Sequence, residues 1–436
     1  MLAPVLHFFN QIILAVLPFI AIILLGRIAW KFWLHYIQQD FISGIDFVLL
    51  EITPPRDVLR SPKAMELFIT NALYHMSLKG GKEEYWQGAV WFWFSLEIAS
   101  IDGQVHFYIR TPTRVRGLIE TQMYAQYPQS QIRAVEDYTL AVDEITPKSA
   151  WNGWGCEFKL EKHEAFPIKT YVDFGLDKDP KEEFKVDPVS PVVELFGSMK
   201  KGEQMWMQIV ITPTKKTWHT HGTWFGKHDF IIESQEVINK MLRPYTRLQQ
   251  GIDKKEYAKE IRPPKFFDNV LTAMTAKTGK VGFDTGIRVF YAAKKEVFDP
   301  NNRRNLRLAF RQYAKPDCNQ LARCNSTQAD AYSGIFLASK KTIMTLANRM
   351  LREYRERSFF HESLRQQVFA KPHFQWPIMD VFTVDSIIKA YFHPNTFVLN
   401  TEEIATMWHF PGQILKVPTL ERIESKEASP PTNLPI

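Results

Sequence analysis

The spacing of apolar residues changes period several times along the chain, and each change marks an element. From Ile12 to Gly26 the sequence reads IILAVLPFIAIILLG, fifteen residues without a charge. Extended back to Val5, with His7, Asn10 and Gln11 as polar interruptions, the run reaches the roughly 20 residues a bilayer-spanning helix needs. Pro18 is tolerable there, because neighbouring turns and waters can satisfy the one lost hydrogen bond. Trp30, Trp33 and Tyr36 follow like an interfacial aromatic belt. A secretory signal would carry Lys or Arg before the run and small residues after it, and neither is present. A buried soluble helix is the other alternative, opposed by the unbroken uncharged run. Arg27 and Lys31 lie just past the span, so the positive-inside rule puts the bulk of the chain in the cytoplasm. The pattern thus predicts a single-pass protein of the inner membrane, anchored by residues 1–40.

Residues 41–84 read as a connector: a strand from Phe47 to Ile52, a Thr53-Pro54-Pro55 break, then a helix. Ser61 and Pro62 supply its cap and first turn, and Met65, Leu67, Phe68, Ala72 and Leu73 its apolar positions. From Trp91 the period drops to two. Trp91–Ile98 and Val105–Arg110 predict strands joined through Asp102-Gly103, a hairpin signal. A helix with Val115, Leu118, Ile119 and Gln122 on one face follows, then a strand from Gln131 to Val135. Further strands are expected over Gly155–Lys162, Lys169–Phe174, Gln204–Ile211 and Gly286–Ala293. Helices are expected over Val192–Met199, Asp299–Tyr313 and about Lys340–Arg357, and helical character over the polar stretch Ser234–Ile261. The order β-hairpin, helix, strand suggests ferredoxin-like units. The fold class expected is α+β: a transmembrane helix and two ferredoxin-like α/β sandwich domains, over residues 85–215 and 216–415. A Pro-rich tail occupies 416–436.

Composition narrows the class. The chain has 436 residues, 23% charged and 45% hydrophobic, enough apolar side chain to exclude disorder over most of its length. At roughly 150 residues per domain, two or three units are expected. The net charge of +7 is too small to name a nucleic-acid partner and fits an anionic membrane surface equally well. Three cysteines exclude a disulfide scaffold and suit a reducing compartment.

Candidate chemistry is sparse. Thr278-Gly279-Lys280 resembles the end of a phosphate-binding loop, but Met274 stands where that loop needs Gly and Val281 where it needs Ser or Thr. His219, His221 and His228 (HTHGTWFGKH) could hold a metal, with solvated loop histidines as the blander alternative. No hydrolase motif occurs, and Glu402-Glu403 is explained by a helix start. Arg303, Arg304, Arg307 and Arg311 share one arc of a helix opposite Leu306, Ala309, Phe310 and Tyr313. A second basic face holds Lys341, Arg349, Arg352 and Arg355. Either is a solvated face or a docking surface for an acidic partner, anionic lipid or nucleic acid.

Several longer strings carry a resemblance. FVLLEITPPRDVLRSPKAMELFITNAL (Phe47–Leu73), FSLEIASIDGQVHFYIRTP (Phe94–Pro112), TQMYAQYP (Thr121–Pro128) and VEDY (Val135–Tyr138) resemble the membrane-anchored amino-terminal region of proteins from uncultivated small-genome bacteria. In many relatives that region precedes an ATPase of the conjugative type IV secretion, HerA/TraG type. LNTEEIATMWHFPG (Leu399–Gly412) and ESKEASPPTNLPI (Glu424–Ile436) resemble the segment just before the phosphate-binding loop. The resemblance implies a membrane scaffold or adaptor acting beside a separate ATPase or as the amino-terminal part of one. No ATPase chemistry can be carried over, since no phosphate-binding loop is present in the sequence.

The leading expectation is therefore a non-catalytic membrane component of a secretion or DNA-transfer apparatus, with no cofactor. Trp408, His409, Phe410 and Pro411, with Arg303, Arg307 and Arg311, are its candidate partner-binding residues, core packing being the alternative for Trp408–Pro411. The expected partners are the lipid bilayer and a secretion-type ATPase, with a second copy of the chain left open. Two other readings remain. One is a metal-dependent enzyme using His219, His221 and His228. The other is single-stranded nucleic-acid binding, which requires Trp91, Trp93 or Phe107 to be exposed beside Arg.

Overall fold

The computed structural model describes residues 2–55, 60–74, 81–177, 186–214, 229–243, 246–250, 256–260, 264–327, 340–357, 359–360 and 396–412. They fall into two units. Met1–Asp46, Met76–Trp91 and Phe360–Pro377 make one, and Phe47–His75, Phe92–Phe359 and Ile378–Ile436 the other.

In the first unit, α1 is one continuous helix over Leu2–Ser43 that accommodates Pro18. Val16, Leu17, Phe19, Ile22, Ile23 and Leu25 are all exposed on it. The side chains of residues 1–15 lie outside the described set. Among the described residues no helix is long and apolar enough to cross a membrane, so the expected crossing helix is not established by the fold.

The second unit is built on one antiparallel sheet of nine strands. In chain order the elements are β1 (Phe47–Thr53), α2 (Pro62–Phe68), α3 (Gly81–Trp86, in the first unit), β2 (Phe94–Ile101), β3 (Gln104–Pro112), α4 (Arg116–Gln126), β4 (Gln131–Val135), β5 (Trp151–Leu160), α5 (Ser190–Gly197), β6 (Glu203–Pro213), α6 (Phe230–Leu242), β7 (Thr246–Gln250), β8 (Glu256–Glu260), α7 (Lys265–Thr278), β9 (Gly282–Lys294), α8 (Asn301–Ala309), β10 (Leu321–Cys324), α9 (Lys340–Glu356), β11 (Phe397–Asn400) and α10 (Thr401–Met407). The sheet runs β10-β5-β9-β6-β2-β3-β1-β4, with β11 paired to β9 and β7-β8 forming a separate hairpin.

Most elements follow the sequence pattern. Asp102 and Gly103 take positive φ, as a tight hairpin turn demands. Ser61 accepts from Lys63 N and Pro62 occupies the first turn of α2. Met65, Phe68, Ala72 and Leu73 are buried as expected, whereas Leu67 is exposed.

Three expectations are corrected. The two ferredoxin-like sandwiches are instead one sheet, because β6 pairs with β9 along eleven residues and strands before and after 215 share one ladder. Strand-rich local order could not reveal this, since the joining pairs lie far apart in sequence. Lys169–Phe174 is a turn rather than a strand: Asp173 accepts from Thr170 N at 3.0 Å and Gly175 has φ +74°. Within Ser234–Ile261 the described residues form the body of α6 and the antiparallel strands β7 and β8 rather than one continuous helix.

Candidate functional site

Five of the inner strands carry a charged or amide residue set directly between two apolar neighbours: Glu51 in β1, Glu97 in β2, Gln208 in β6, Arg288 in β9 and Glu157 in β5. Register brings them into line. Arg133 faces Glu51, Glu51 faces Tyr108, and Tyr108 faces Glu97. Glu97 in turn faces Gln208, Gln208 faces Arg288, Arg288 faces Glu157, and Glu157 faces Cys324. One transverse row of eight residues therefore crosses the sheet on a single face.

The centre of the row is sealed. Glu97 is fully buried and accepts from Ser95 Oγ at 2.6 Å, Tyr138 OH at 2.8 Å and Gln208 Nε2 at 3.1 Å. Arg357 closes over it, with Nε 2.9 Å from Glu97 Oε1 and Nη2 3.2 Å from Oε2. The same guanidinium donates to both Asp137 carboxylate oxygens and to Arg355 O. Arg357 reaches this position from the end of α9 by adopting φ +52°, a left-handed conformation that turns the chain back toward the sheet. Tyr138 and Tyr354 share a 2.9 Å hydrogen bond beside Glu97.

Charge and burial set the titration of this cluster. Burial, followed by the Glu97 charge, pushes the Tyr138 and Tyr354 phenols well above their ordinary range. Burial alone would raise the Asp137 carboxyl, but its hydrogen bonds from Arg357 and Thr139 hold it below the usual carboxylate range. Arg110 stacks over Phe47 at 3.8 Å, and burial plus repulsion from Arg357 lowers its guanidinium to about 10.

Two further charged groups are buried with partners. Arg288 Nε and Nη2 meet Glu157 Oε1 at 3.0 and 2.6 Å, while Nη1 donates to Glu353 O on α9 at 2.8 Å. Burial pushes the Glu157 carboxyl up even with Arg288 opposing it. At the start of α10, Asn400 and Glu403 form a reciprocal cap, and Lys277 Nζ lies 3.0 Å from Glu403 Oε2. Glu402 instead reaches Lys280, which also binds Glu66 at 2.7 Å. Thr278-Gly279-Lys280 thus ends α7, and its lysine is held by carboxylates rather than offered to a phosphate.

The partner residues expected from sequence divide sharply. Trp408, His409, Phe410 and Pro411 are buried. Trp408 Nε1 donates to Glu97 O at 3.2 Å, and Phe410 packs edge-on to Phe107 at 5.3 Å. His409 Nδ1 donates to Ala405 O at 2.8 Å, and its Nε2 lies 3.0 Å from Asp187 Oδ1. Their burial matches the core-packing alternative, with the Trp408 and Phe410 rings set against Phe107 on the apolar face of the sheet.

Arg303 and Arg307 are half-buried and Arg311 is exposed, on successive turns from α8 into the 3-10 turn Phe310–Tyr313. Leu306, Phe310 and Tyr313 are buried beneath them as expected. On α9, Arg349 pairs with Glu353 at 2.8 Å, and Arg355 donates to Thr139 O at 3.0 Å, so neither is a spare surface charge.

His219, His221 and His228 lie outside the described residues. Among the described residues no three His, Cys, Asp or Glu side chains are placed to hold a metal. Trp93 and Phe107 are buried, so neither ring is available to stack on a base.

No short sequence motif marks the row. A signal was nevertheless present: a strand buried on both faces tolerates a lone charge only if a partner is supplied, so each isolated Glu or Arg marked a missing counterpart.

A family profile described as "Domain of unknown function (DUF8128)" matches residues 50–368, nearly three quarters of the chain. The chain belongs to the DUF8128 family. No curated protein matches it. The DUF8128 span contains Glu51, Glu97, Gln208, Arg288, Glu157 and the closing Arg357, whereas α1, β11 and Trp408–Pro411 lie outside it.

Proposed function

We propose that this DUF8128 protein is a non-catalytic, single-pass membrane scaffold. In this reading α1 holds it in the inner membrane, and the sheet-centred unit in the cytoplasm docks a separate ATPase of the secretion or DNA-transfer type. The observation that carries the membrane part is the uncovered apolar series Val16, Leu17, Phe19, Ile22, Ile23 and Leu25 on one continuous helix. Six large apolar side chains left in water would cost on the order of 1.5–3 kcal/mol each, a penalty that a bilayer removes.

The scaffold part is supported by how the buried charges are used. Glu97, Arg357, Arg288, Glu157, Lys277 and Glu403 are each spent on internal pairs, an arrangement that specifies register rather than presenting a reactive group. The docking part rests on the likeness of Phe47–Leu73 and Phe94–Pro112 to regions that precede secretion-type ATPases. Arg303, Arg307 and Arg311 are the surface this reading assigns to the partner.

The test is a cross-linked pull-down of tagged full-length protein from native membranes after an alkaline carbonate wash. Retention in the washed membranes with a co-purifying ATPase that carries a complete phosphate-binding loop is expected. Release by carbonate would overturn the anchor. Retention without any ATPase would overturn the docking role, and unchanged ATPase recovery from the triple variant Arg303→Ala, Arg307→Ala, Arg311→Ala would remove those residues from it.

A further inference from the structure

The first unit contains an open cavity of about 770 Å³ lined by Trp30, Lys82, Tyr85 and Trp86. Two distant segments build it. Trp30 and Tyr85 lie 6.0 Å apart between ring centroids, and Trp33 meets Trp86 edge-on at 6.2 Å. Trp33 Nε1 donates to Tyr85 O at 3.4 Å, tying α3 to the end of α1. The segment after α3 is held equally close: Gly88 has φ +66°, and a Cβ there would collide with the Ile37 carbonyl. The association is therefore built into the backbone. Yet the rings are not spent as core, since Trp86 is 65% exposed, Trp30 46% and Trp33 41%.

We propose that Trp30, Trp33, Tyr85 and Trp86, together with Lys82, form a seat for phospholipid headgroups, which lays α3 in the interfacial layer of the membrane. This inference rests on the membrane reading of α1. Trp30 stands five residues beyond Leu25, the last exposed apolar position of the run, and at 1.5 Å per residue that is about 7 Å along the helix. The polar layer on each side of a ~30 Å hydrocarbon core is about 5–8 Å deep, so the rings fall at headgroup level. Trp and Tyr favour that depth because each has an apolar body and a hydrogen-bonding edge.

The chemistry of the lining selects the part of the lipid. Lys82 disfavours a bare cation among the rings and suits the phosphate, which every phospholipid carries. Glu83 and Glu84 share the same turn, so the seat is not a polybasic patch. Aromatic burial rather than net charge holds it, and binding follows zwitterionic as well as anionic lipid.

The experiment reconstitutes the full chain in phosphatidylcholine vesicles containing a phospholipid with a photoactivatable headgroup, and maps the adducts by mass spectrometry. Adducts are expected on the 81–86 segment as well as on α1. Those on 81–86 should fall several-fold in Trp86→Ala and in Lys82→Ala, with the α1 adducts unchanged and little dependence on salt. Both substituted side chains are exposed, and a far-UV melt of each variant verifies the fold. Adducts on α1 alone would overturn the seat and leave the anchor standing. Labelling of 81–86 that ignores both substitutions would also overturn it. A chain that neither floats with the vesicles nor labels anywhere would overturn seat and anchor together.

Discussion

Two rows of residues cross the same strands one position apart and solve opposite problems. On one face Leu50, Ile109, Leu96, Ile209, Ile287 and Phe158 lie in register; on the other, their neighbours Glu51, Tyr108, Glu97, Gln208, Arg288 and Glu157 do. The apolar row needs only area. Rings from outside the strands cover that face, with Phe410 against Phe107 and Phe310 stacked on Phe158 at 4.4 Å. The polar row needs named partners, because each buried charge costs several kcal/mol until it is paired. Those partners come from α9 and its end: Arg357 to Glu97, Glu353 to Arg288. Any apolar helix could cover the first face, whereas the second admits α9 in one position. Burial thus stabilises this sheet on both sides but specifies its covering element on only one.

The largest effect that would break this contrast is expected from Arg357→Ala. It leaves Glu97 and Asp137 without their shared cation and should cost about 3–5 kcal/mol in urea unfolding. Adding Glu97→Gln to that variant should recover part of the loss, since the stranded charge is gone; no recovery would mean the row does not act through pairing. On the apolar row Leu96→Ala should cost about 2–5 kcal/mol, with no rescue from any polar partner change.

Next comes Gly155→Ala. Its new Cβ would sit 2.7 Å from Met350 Cγ and 2.9 Å from Val289 O, so α9 must lift from the sheet at a cost of about 1–3 kcal/mol. Wild-type stability in that variant would show that α9 is not seated by close fit.

The smallest effect concerns pH. The Asp137 carboxyl is held below its unfolded value, so its contribution is full above the ordinary carboxylate pKa of about 3.9 and is lost as pH falls through the folded value. Thermal melts below about pH 4 should therefore decline less steeply in Asp137→Asn than in the wild type. An identical acid limb would remove Asp137 from the clamp.

Much of the local structure was legible. Strand-like apolar runs marked β1, β2, β3, β4 and β6, Asp102-Gly103 marked the hairpin, and a helix was expected over about Lys340–Arg357, where α9 runs. Lys169–Phe174 was misread because residues of strand-like type there close a turn on their own side chains. Trp408 and Phe410 were equally compatible with surface or core, since an aromatic cluster beside a proline looks the same in either setting. The helix α7 left no distinct expectation, its mixed Phe, Lys and Thr content giving a weak periodic signal.

The sequence by itself determined where strands and helices form, because hydrophobic period and turn chemistry act between residues a few positions apart. It also determined that Glu51, Glu97, Glu157 and Arg288 each stand between two apolar neighbours. Only the tertiary structure decided that one sheet replaces two sandwiches, and that Glu97 meets an arginine 260 positions away. Pairing across such a distance depends on strand order and register, which follow from the closure of the whole fold rather than from any local pattern.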